Sequence, residues 1–545
     1  MTNGNKTKVE LAKVDRRKVL KGVGVAGALT AVSGLFPFSL STAVHAAAET
    51  GKSFVIGLAS EADGLSSAVA RPDHLGRLIE RGLLDYDDRA GASFKIVPGT
   101  AAAMPEVLDN GLRYRFKLRD DVYFHDGSKM DAESVAYWID MQINKEHPLN
   151  KSHKWRTLGR LKSVKKVVAV DKHTVDIYLK KLNAAQMDWF TDIGYEGHPV
   201  EALKNGIDLF DADLSAGPYM IESHQRGGAT VLKRFDKYFD PNEGKAPRIG
   251  LKTIPEVNAR MAALEAGEID WMDGLSSESA QFLKNVDGIS VSEQKTLYVW
   301  FITLDMRQKP LNDVRVRQAL NYAVDKESLI RDILGGAAER SYSPLSKQFG
   351  DFYAGDMVKR YDYDPDKAKA LLKEAGYENG FKTTIYTNTG RVGQMKPVEM
   401  SQFVQANWKA IGVDCNIEAI EWSAFESRRR KGEFPIATRG WTPSTADPDG
   451  LLLQNFHSSM VPPTQRNVPF LQDPEVDKWL DTGMGTLDMK IRVNAFIEAQ
   501  KRIAELAPWV FIAHEITFEA FNKNLLGYKV HPAGRGRSLT YAYKG

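Results

Sequence analysis

The chain is 545 residues long, more than one hydrophobic core usually serves, so at least two packed lobes are expected. Hydrophobic residues make up 43%, charged residues 26% and aromatic residues 10%, which excludes disordered, collagen-like and membrane-embedded classes. Of the net charge of +3, the segment before residue 47 supplies +5, from seven Lys and Arg against Glu10 and Asp15, and the remaining −2 leaves no basic footprint for nucleic acid or anionic lipid.

Residues 1–48 read as an address. Asp15-Arg16-Arg17-Lys18-Val19-Leu20-Lys21 is a twin-arginine pattern, with Val19 where Phe is commonest and Asp15 where Ser or Thr is common. An uncharged run from Gly22 to Val44 ends in His45-Ala46-Ala47-Ala48, so a leader cleaved after Ala46 or Ala48 is expected. A retained membrane anchor is the alternative, disfavoured by Gly22, Gly24, Gly27, Gly34 and Pro37, which make the run weakly apolar and poorly helical. No cysteine follows the run, which excludes a lipoprotein anchor there. Gly22-Val23-Gly24-Val25-Ala26-Gly27 spells a dinucleotide fingerprint but lacks the strand and helix that give it meaning.

Leu112, Tyr114, Phe116 and Leu118 alternate with polar residues, as do Val175, Ile177 and Leu179, predicting two half-buried strands. Asp131 caps a predicted helix with Val135, Trp138, Ile139 and Ile143 on one face, and a second helix runs from near Asn258 to a stop at Gly267. From 312 to 334, Val316, Leu320 and Ala323 share a face, then Asp325 caps further turns that end at Gly335. Asp364 as N-cap, Pro365 at the first helical position and Gly376 just past the end mark both limits of another helix. No low-complexity tether appears, so ordinary strands or loops must join the lobes.

The chain carries no complete catalytic motif. His514-Glu515 opens like a zinc-protease helix, but Phe518 stands where the second ligand is needed. Asp362, Asp364 and Asp366 have the first spacings of a calcium loop, with Lys367 and Lys373 in place of the required Gly and Glu. Gly64-Leu65-Ser66-Ser67-Ala68 lacks the last glycine of a nucleophile elbow. Cys415, the only cysteine, reads as a structural thiol on a buried strand. No enzyme, cofactor, metal site or ATP site is expected, although a site assembled from distant residues leaves no local motif.

Segments across nearly the whole chain resemble the family 5 extracellular solute-binding proteins, whose members take dipeptides, oligopeptides, glutathione, nickel or haem. In order these are Arg81-Gly82-Leu83-Leu84-Asp85-Tyr86, Leu112 to Arg119 leading into Val122-Tyr123-Phe124-His125-Asp126-Gly127, Ala216-Gly217-Pro218-Tyr219, and Leu264-Glu265-Ala266-Gly267-Glu268-Ile269-Asp270. Asp313 to Lys326, Tyr363-Asp364-Pro365 and Ala375-Gly376-Tyr377 follow. The resemblance implies an α/β, two-lobed periplasmic-binding-protein architecture of the large class, with an extra subdomain in lobe I and the ligand cleft between the lobes. Lobe I is expected to take 49–296 and return at 508–545, lobe II to occupy 297–507, with the crossings near Leu297–Leu304 and Pro508–Ala513.

The same resemblance suggests ligand contacts. Arg391 falls where dipeptide binders place an arginine for the ligand carboxylate, its alternative being a solvated loop arginine. Trp441 falls at the family's cleft tryptophan, its alternative being core packing. Ser444 stands where peptide binders have the aspartate that holds the ligand ammonium, and a hydroxyl cannot replace that ion pair. Thr445 and Asp447 lie beside it, and Asp447 or Asp449 could substitute for the missing charge. Gly-Trp-x-x-Ser-Thr is also similar to the glutathione-binding branch, keeping γ-glutamyl or otherwise modified peptides in view. Glu61 and Arg71 are candidates at the cleft entrance, where a solvated loop is the alternative.

The implied function is the periplasmic receptor of an ABC importer, exported by its twin-arginine leader. As a monomer it would capture a peptide or peptide-like solute by lobe closure and deliver it to ABC permease subunits. The alternatives are a receptor for a nickel complex or haem, a protein that presents ligand to a chemosensor, and a periplasmic hydrolase.

Overall fold

The computed structural model describes residues 53–545 apart from 71–73, 88–93, 151–154, 192–196, 390–395, 444, 464–465 and 532–536. The leader expected over 1–48 and the candidate contacts Arg71, Arg391 and Ser444 lie outside the described residues.

Helices begin where a side chain satisfies the first backbone donors. Asp131 accepts from Ser134 N at 2.9 Å and opens the helix Ala132–Ile143, which buries Val135, Trp138 and Ile139. Asp364 accepts from Lys367 N at 2.8 Å ahead of the helix Pro365–Glu374, and Gly376 leaves that helix at φ +85°. The aspartates that imitate a calcium loop are thus explained by capping and its surroundings. Asp325 accepts from Ser328 N at 3.0 Å and starts the turns that continue through Leu329–Ile333. The helix expected from Asn258 runs Val257–Glu265.

Two sheets build most of the described protein. The smaller one pairs Glu106–Leu108, Arg113–Lys117, Thr174–Leu179 and Val164–Asp171, all antiparallel in that order. Tyr114, Phe116, Val175 and Ile177 point from it onto Trp138 and Ile139, while Leu112, expected in the strand, lies just outside it and is exposed.

Eleven described strands form the larger sheet: β1 (Phe54–Leu58), β2 (Tyr219–His224), β3 (Ala229–Arg234), β4 (Arg248–Thr253), β5 (Trp271–Met272), β6 (Ile289–Leu304), β7 (Ala338–Arg340), β8 (Phe381–Thr389), β9 (Val413–Glu421), β10 (Ile436–Trp441) and β11 (Trp509–Asn522). The order across it is β9-β8-β10-β6-β11-β5-β1-β4-β3-β2, with β7 pairing β11 as well. Alternation of side chains gives each half of the sheet a core on both faces. At one end Phe54 and Ile56 pack with Leu78 and Trp271, while Val55 packs with Leu264, Ile269 and Ala520. At the other end Ile302 joins Ile385, Trp408 and Ile512, while Val299 and Phe301 join Phe456, Phe496 and Phe511.

β6 and β11 belong to both halves. Their antiparallel register runs from Ile289 opposite Asn522 to Lys295 opposite Ile516, breaks, and resumes with Val299 opposite His514. At the break Thr296 donates its hydroxyl to Glu515 O at 3.0 Å, and Trp300 donates Nε1 to the Glu515 carboxylate at 3.2 Å. A bulge of this kind bends and twists a strand pair locally. His514 and Glu515 therefore lie on a strand. Cys415 is buried on β9, its thiol pushed up to about 11 chiefly by burial, which suits a structural role.

Candidate functional site

β10 carries Arg439 and Trp441 on one face, opposite Phe301 and Val299 of β6. Trp441 donates Nε1 to Gly450 O at 3.0 Å, closing the loop that follows the strand. Trp441 packs against the core that includes Val299 and Phe301 while staying half-buried. The Arg466 guanidinium lies 4.0 Å from the ring centroid. Behind the strand Gly440 admits the stacked Tyr298 and Trp300 rings, and a Cβ there would stand 2.5 Å from Tyr298 Cε1.

The loop after Trp441 meets residues from much earlier in the chain. Tyr86 accepts from Ala446 N at 3.1 Å and donates its hydroxyl to Asp188 at 2.9 Å. Trp189 donates Nε1 to Asp449 Oδ2 at 3.0 Å. Tyr86 is held on the short strand Leu84–Tyr86, whose Asp85 is paired with the buried Arg81, itself bonded to Glu243 and to the Tyr238 hydroxyl. Phe94 and His531 pack edge-on at 5.4 Å between ring centroids, and Phe94 also reaches the core under Trp441.

Among the described residues three carboxylates share this place with one cation. Arg492 donates Nη2 to Asp447 Oδ2 at 2.6 Å and Nε to Gly483 O, and both side chains of the ion pair are almost wholly buried. Asp447 Oδ1 accepts from Asp449 N, so Asp447 is engaged at both oxygens. Asp449 is 6% exposed, and its Oδ1 has no hydrogen-bond partner. Burial first, then the Asp447 charge, pushes the Asp449 carboxyl well above the usual range. The same two causes push Asp188 up to about 7, against the pull of the Tyr86 hydrogen bond and the Arg492 charge. Thr445 is buried with its hydroxyl unpartnered.

Trp441, Thr445 and Asp447 are therefore brought together, with Tyr86, Asp188, Trp189, Asp449 and Arg492 around them. Glu61 belongs to a different neighbourhood: it accepts from Gly227 N at 2.9 Å in the turn between β2 and β3. Of these surrounding residues Asp449 was a candidate in the sequence and Tyr86 lay in a family motif, while Asp188, Trp189 and Arg492 carried no local signal. Among the described residues no three His, Cys, Asp or Glu side chains are placed to share a metal ion. The arrangement offers an aromatic face, a buried hydroxyl and an under-bonded carboxyl, which suits recognition of a polar solute.

The family model for bacterial extracellular solute-binding proteins, family 5 Middle, matches residues 95–461. The haem-binding protein A of Haemophilus influenzae is 29% identical over 450 residues, covering 79% of this chain and 81% of that protein. The dipeptide-binding protein of Escherichia coli is 29% identical over 463 residues, covering 81% and 85%. The structure of the ABC transporter-associated periplasmic binding protein DppA of Helicobacter pylori, in complex with the peptide STSA, superposes with a TM-score of 0.76 at 25% identity, covering 90% of this chain and 98% of that one. The mixed α/β layers, with a long sheet and an added four-stranded sheet, are those of the large two-lobed periplasmic binding proteins.

Proposed function

Since the chain belongs to the family 5 extracellular solute-binding proteins, we propose that it is the substrate-binding component of an ABC importer, capturing a peptide or peptide-like solute by closure of two lobes. Lobe I takes 49–296 and 508–545 and lobe II takes 297–507, with β6 and β11 as the crossing strands. The register break between Lys295 and Val299 supports a bend at that point. The protein works in the periplasm, reached through a twin-arginine leader removed after Ala46 or Ala48, and hands solute as a monomer to membrane permease subunits, ATP being hydrolysed by separate subunits. It performs no covalent chemistry.

The observation that supports this reading is the pair of bonds between Tyr86 and Ala446 and between Trp189 and Asp449, which on these proposed bounds join one lobe to the other next to Trp441. Solute bridging the same gap adds contacts available only in the closed state, and that difference is what shifts the equilibrium. Trp441 supplies the flat face and Thr445 a hydroxyl. Asp449, with a free Oδ1, is better placed than Asp447 to receive a solute ammonium, whose charge would draw the buried carboxyl back toward its ionised form, because Asp447 is held by Arg492. Arg391 pairs with a solute carboxylate, and Glu61 and Arg71 belong to the entrance, Glu61 by fixing the turn at Gly227. The names of the dipeptide-binding relative and of the peptide complex support a peptide class.

The test is a thermal-shift screen of the purified protein against dipeptides, tripeptides, glutathione, nickel chelates and haem. A ligand at a hundred times its Kd stabilises the folded state by about 2.7 kcal/mol. A peptide shift that Trp441→Ala weakens is the expected result. Shifts with haem or a nickel chelate and none with any peptide would overturn the peptide class.

A further inference from the structure

The helix Trp422–Arg430 (α1) brings Glu426 and Arg429 to the face of β10 that carries Arg439 and Trp441. Arg429 donates Nε and Nη2 to the two Glu426 oxygens at 2.7 and 2.8 Å, a fork that occupies the carboxylate. Arg429 is 3% exposed and Arg439 6%, and Nη1 of each is buried without a hydrogen-bond partner. Among the described residues Arg439 has no ion pair. Its guanidinium carbon lies 5.4 Å from the Trp441 ring centroid, and Arg466 stacks on the same ring.

Two buried guanidinium groups, Arg429 and Arg439, therefore lie beside the one carboxylate of Glu426. A buried cation without a counter-charge is costly, and it is relieved when an anion arrives from outside. Burial first, and next the Arg429 charge, hold the Arg439 guanidinium well below the usual arginine range. An anion between the two arginines reverses the second effect and offsets the first.

We propose that Arg439 and Arg429 form an oxyanion pocket beside Trp441, and that the solute captured there carries an acidic group, carboxylate or phosphate, that fills it. This rests on the reading of the Trp441 surface as the solute site. A planar oxyanion takes donors from both guanidinium groups at once while the rest of the solute lies on the indole. A neutral solute of the same shape leaves both Nη1 groups unpaired. The pocket thus selects by unmet hydrogen bonds, which discriminate more sharply than apolar fit.

The experiment titrates the purified protein calorimetrically with two tripeptide mixtures that differ only in Glu against Gln. Thermal unfolding is followed separately in inorganic phosphate and in chloride at equal ionic strength. Wild type is compared with Arg439→Met, which removes the charge, and with Arg439→Lys, which keeps it without the fork. The Glu mixture should bind wild type about tenfold more tightly than the Gln mixture. Arg439→Met should bring that ratio near one without lowering the ligand-free Tm, and Arg439→Lys should fall between.

A ratio near one in wild type, or one that survives Arg439→Met, overturns the acidic-solute proposal while the receptor reading stands. A phosphate response lost in Arg439→Met but without any preference for Glu means an adventitious ion only and also overturns it. If no tripeptide binds, the peptide reading falls and phosphate decides: a Tm rise over chloride that Arg439→Met abolishes supports the pocket, and a rise equal in both proteins, or none, refutes it.

Discussion

Arg492→Met removes the one cation that the described residues set among Asp188, Asp447 and Asp449. Arg492 and Asp447 are bonded at 2.6 Å with side chains 5% and 2% exposed, so the substitution leaves a carboxylate buried and unpaired. Breaking a buried pair from one side costs about 3–5 kcal/mol. For a folded chain of roughly five hundred residues the unfolding entropy is about 1 kcal/mol per kelvin, so Tm should fall by about 3–5 °C near neutral pH. The Arg492 charge also holds the Asp188 carboxyl down, so without it Asp188 takes up a proton more readily. The loss should therefore be larger at pH 8 than at pH 5, where protonation removes the repulsion. Scanning calorimetry of wild type, Arg492→Met and Arg492→Met/Asp447→Asn at both pH values measures this, and the double variant should regain most of the lost stability. A fall below about 1 kcal/mol, or a double variant no better than the single one, would refute the claim that Asp447 is held by Arg492 rather than by solvent.

Gly440→Ala places a methyl within 2.5 Å of Tyr298 and 2.6 Å of Trp300, forcing the stacked rings or β10 to move. A loss of about 1–3 kcal/mol in denaturant unfolding is expected, together with weaker solute binding because Trp441 is the next residue on the strand. Unchanged stability and affinity would mean that the rings move freely there. Glu519 is 3% exposed and pushed up to about 7, chiefly by burial, with the Tyr528 hydrogen bond opposing. The native state holds this proton more tightly than the unfolded chain, so its contribution to stability falls as pH rises from about 4.5 to about 7, by about 3 kcal/mol. His514, pushed down to about 4 by burial, gives the opposite slope at acid pH, so the readout is the difference between Glu519→Gln and wild type, which should grow in favour of the variant up to about pH 7. Parallel Tm curves would refute the assignment.

What could be read in advance acts over short distances. Asp131, Asp364 and Gly376 mark helix ends because each satisfies, or frees, backbone within one turn of itself. The strands around Tyr114 and Val175 were legible from their alternating residues. The choice between Asp447 and Asp449 was not, since it is made by Arg492, 45 residues on, and by Trp189, 260 residues back. Arg439 looks in the sequence like any arginine on a strand. Its burial follows from where α1 packs, and no periodicity encodes that. The position of β11 in the middle of the sheet is equally non-local.

That position governs how the molecule is made. The sheet order sets β11 between β6 and β5, so the half built on β8, β9 and β10 and the half built on β1 to β4 become one sheet only through the last long strand of the chain. On a ribosome, everything through the helix Met489–Leu506 can emerge while β6, already paired with β10 on one side, still lacks β11 on the other and both half-sheets present an open edge. A product ending near residue 505 is then two half-sheets with sticky borders, and it stays a client of chaperones and proteases. The strand that the larger sheet receives last in chain order is thus the one that joins its two halves.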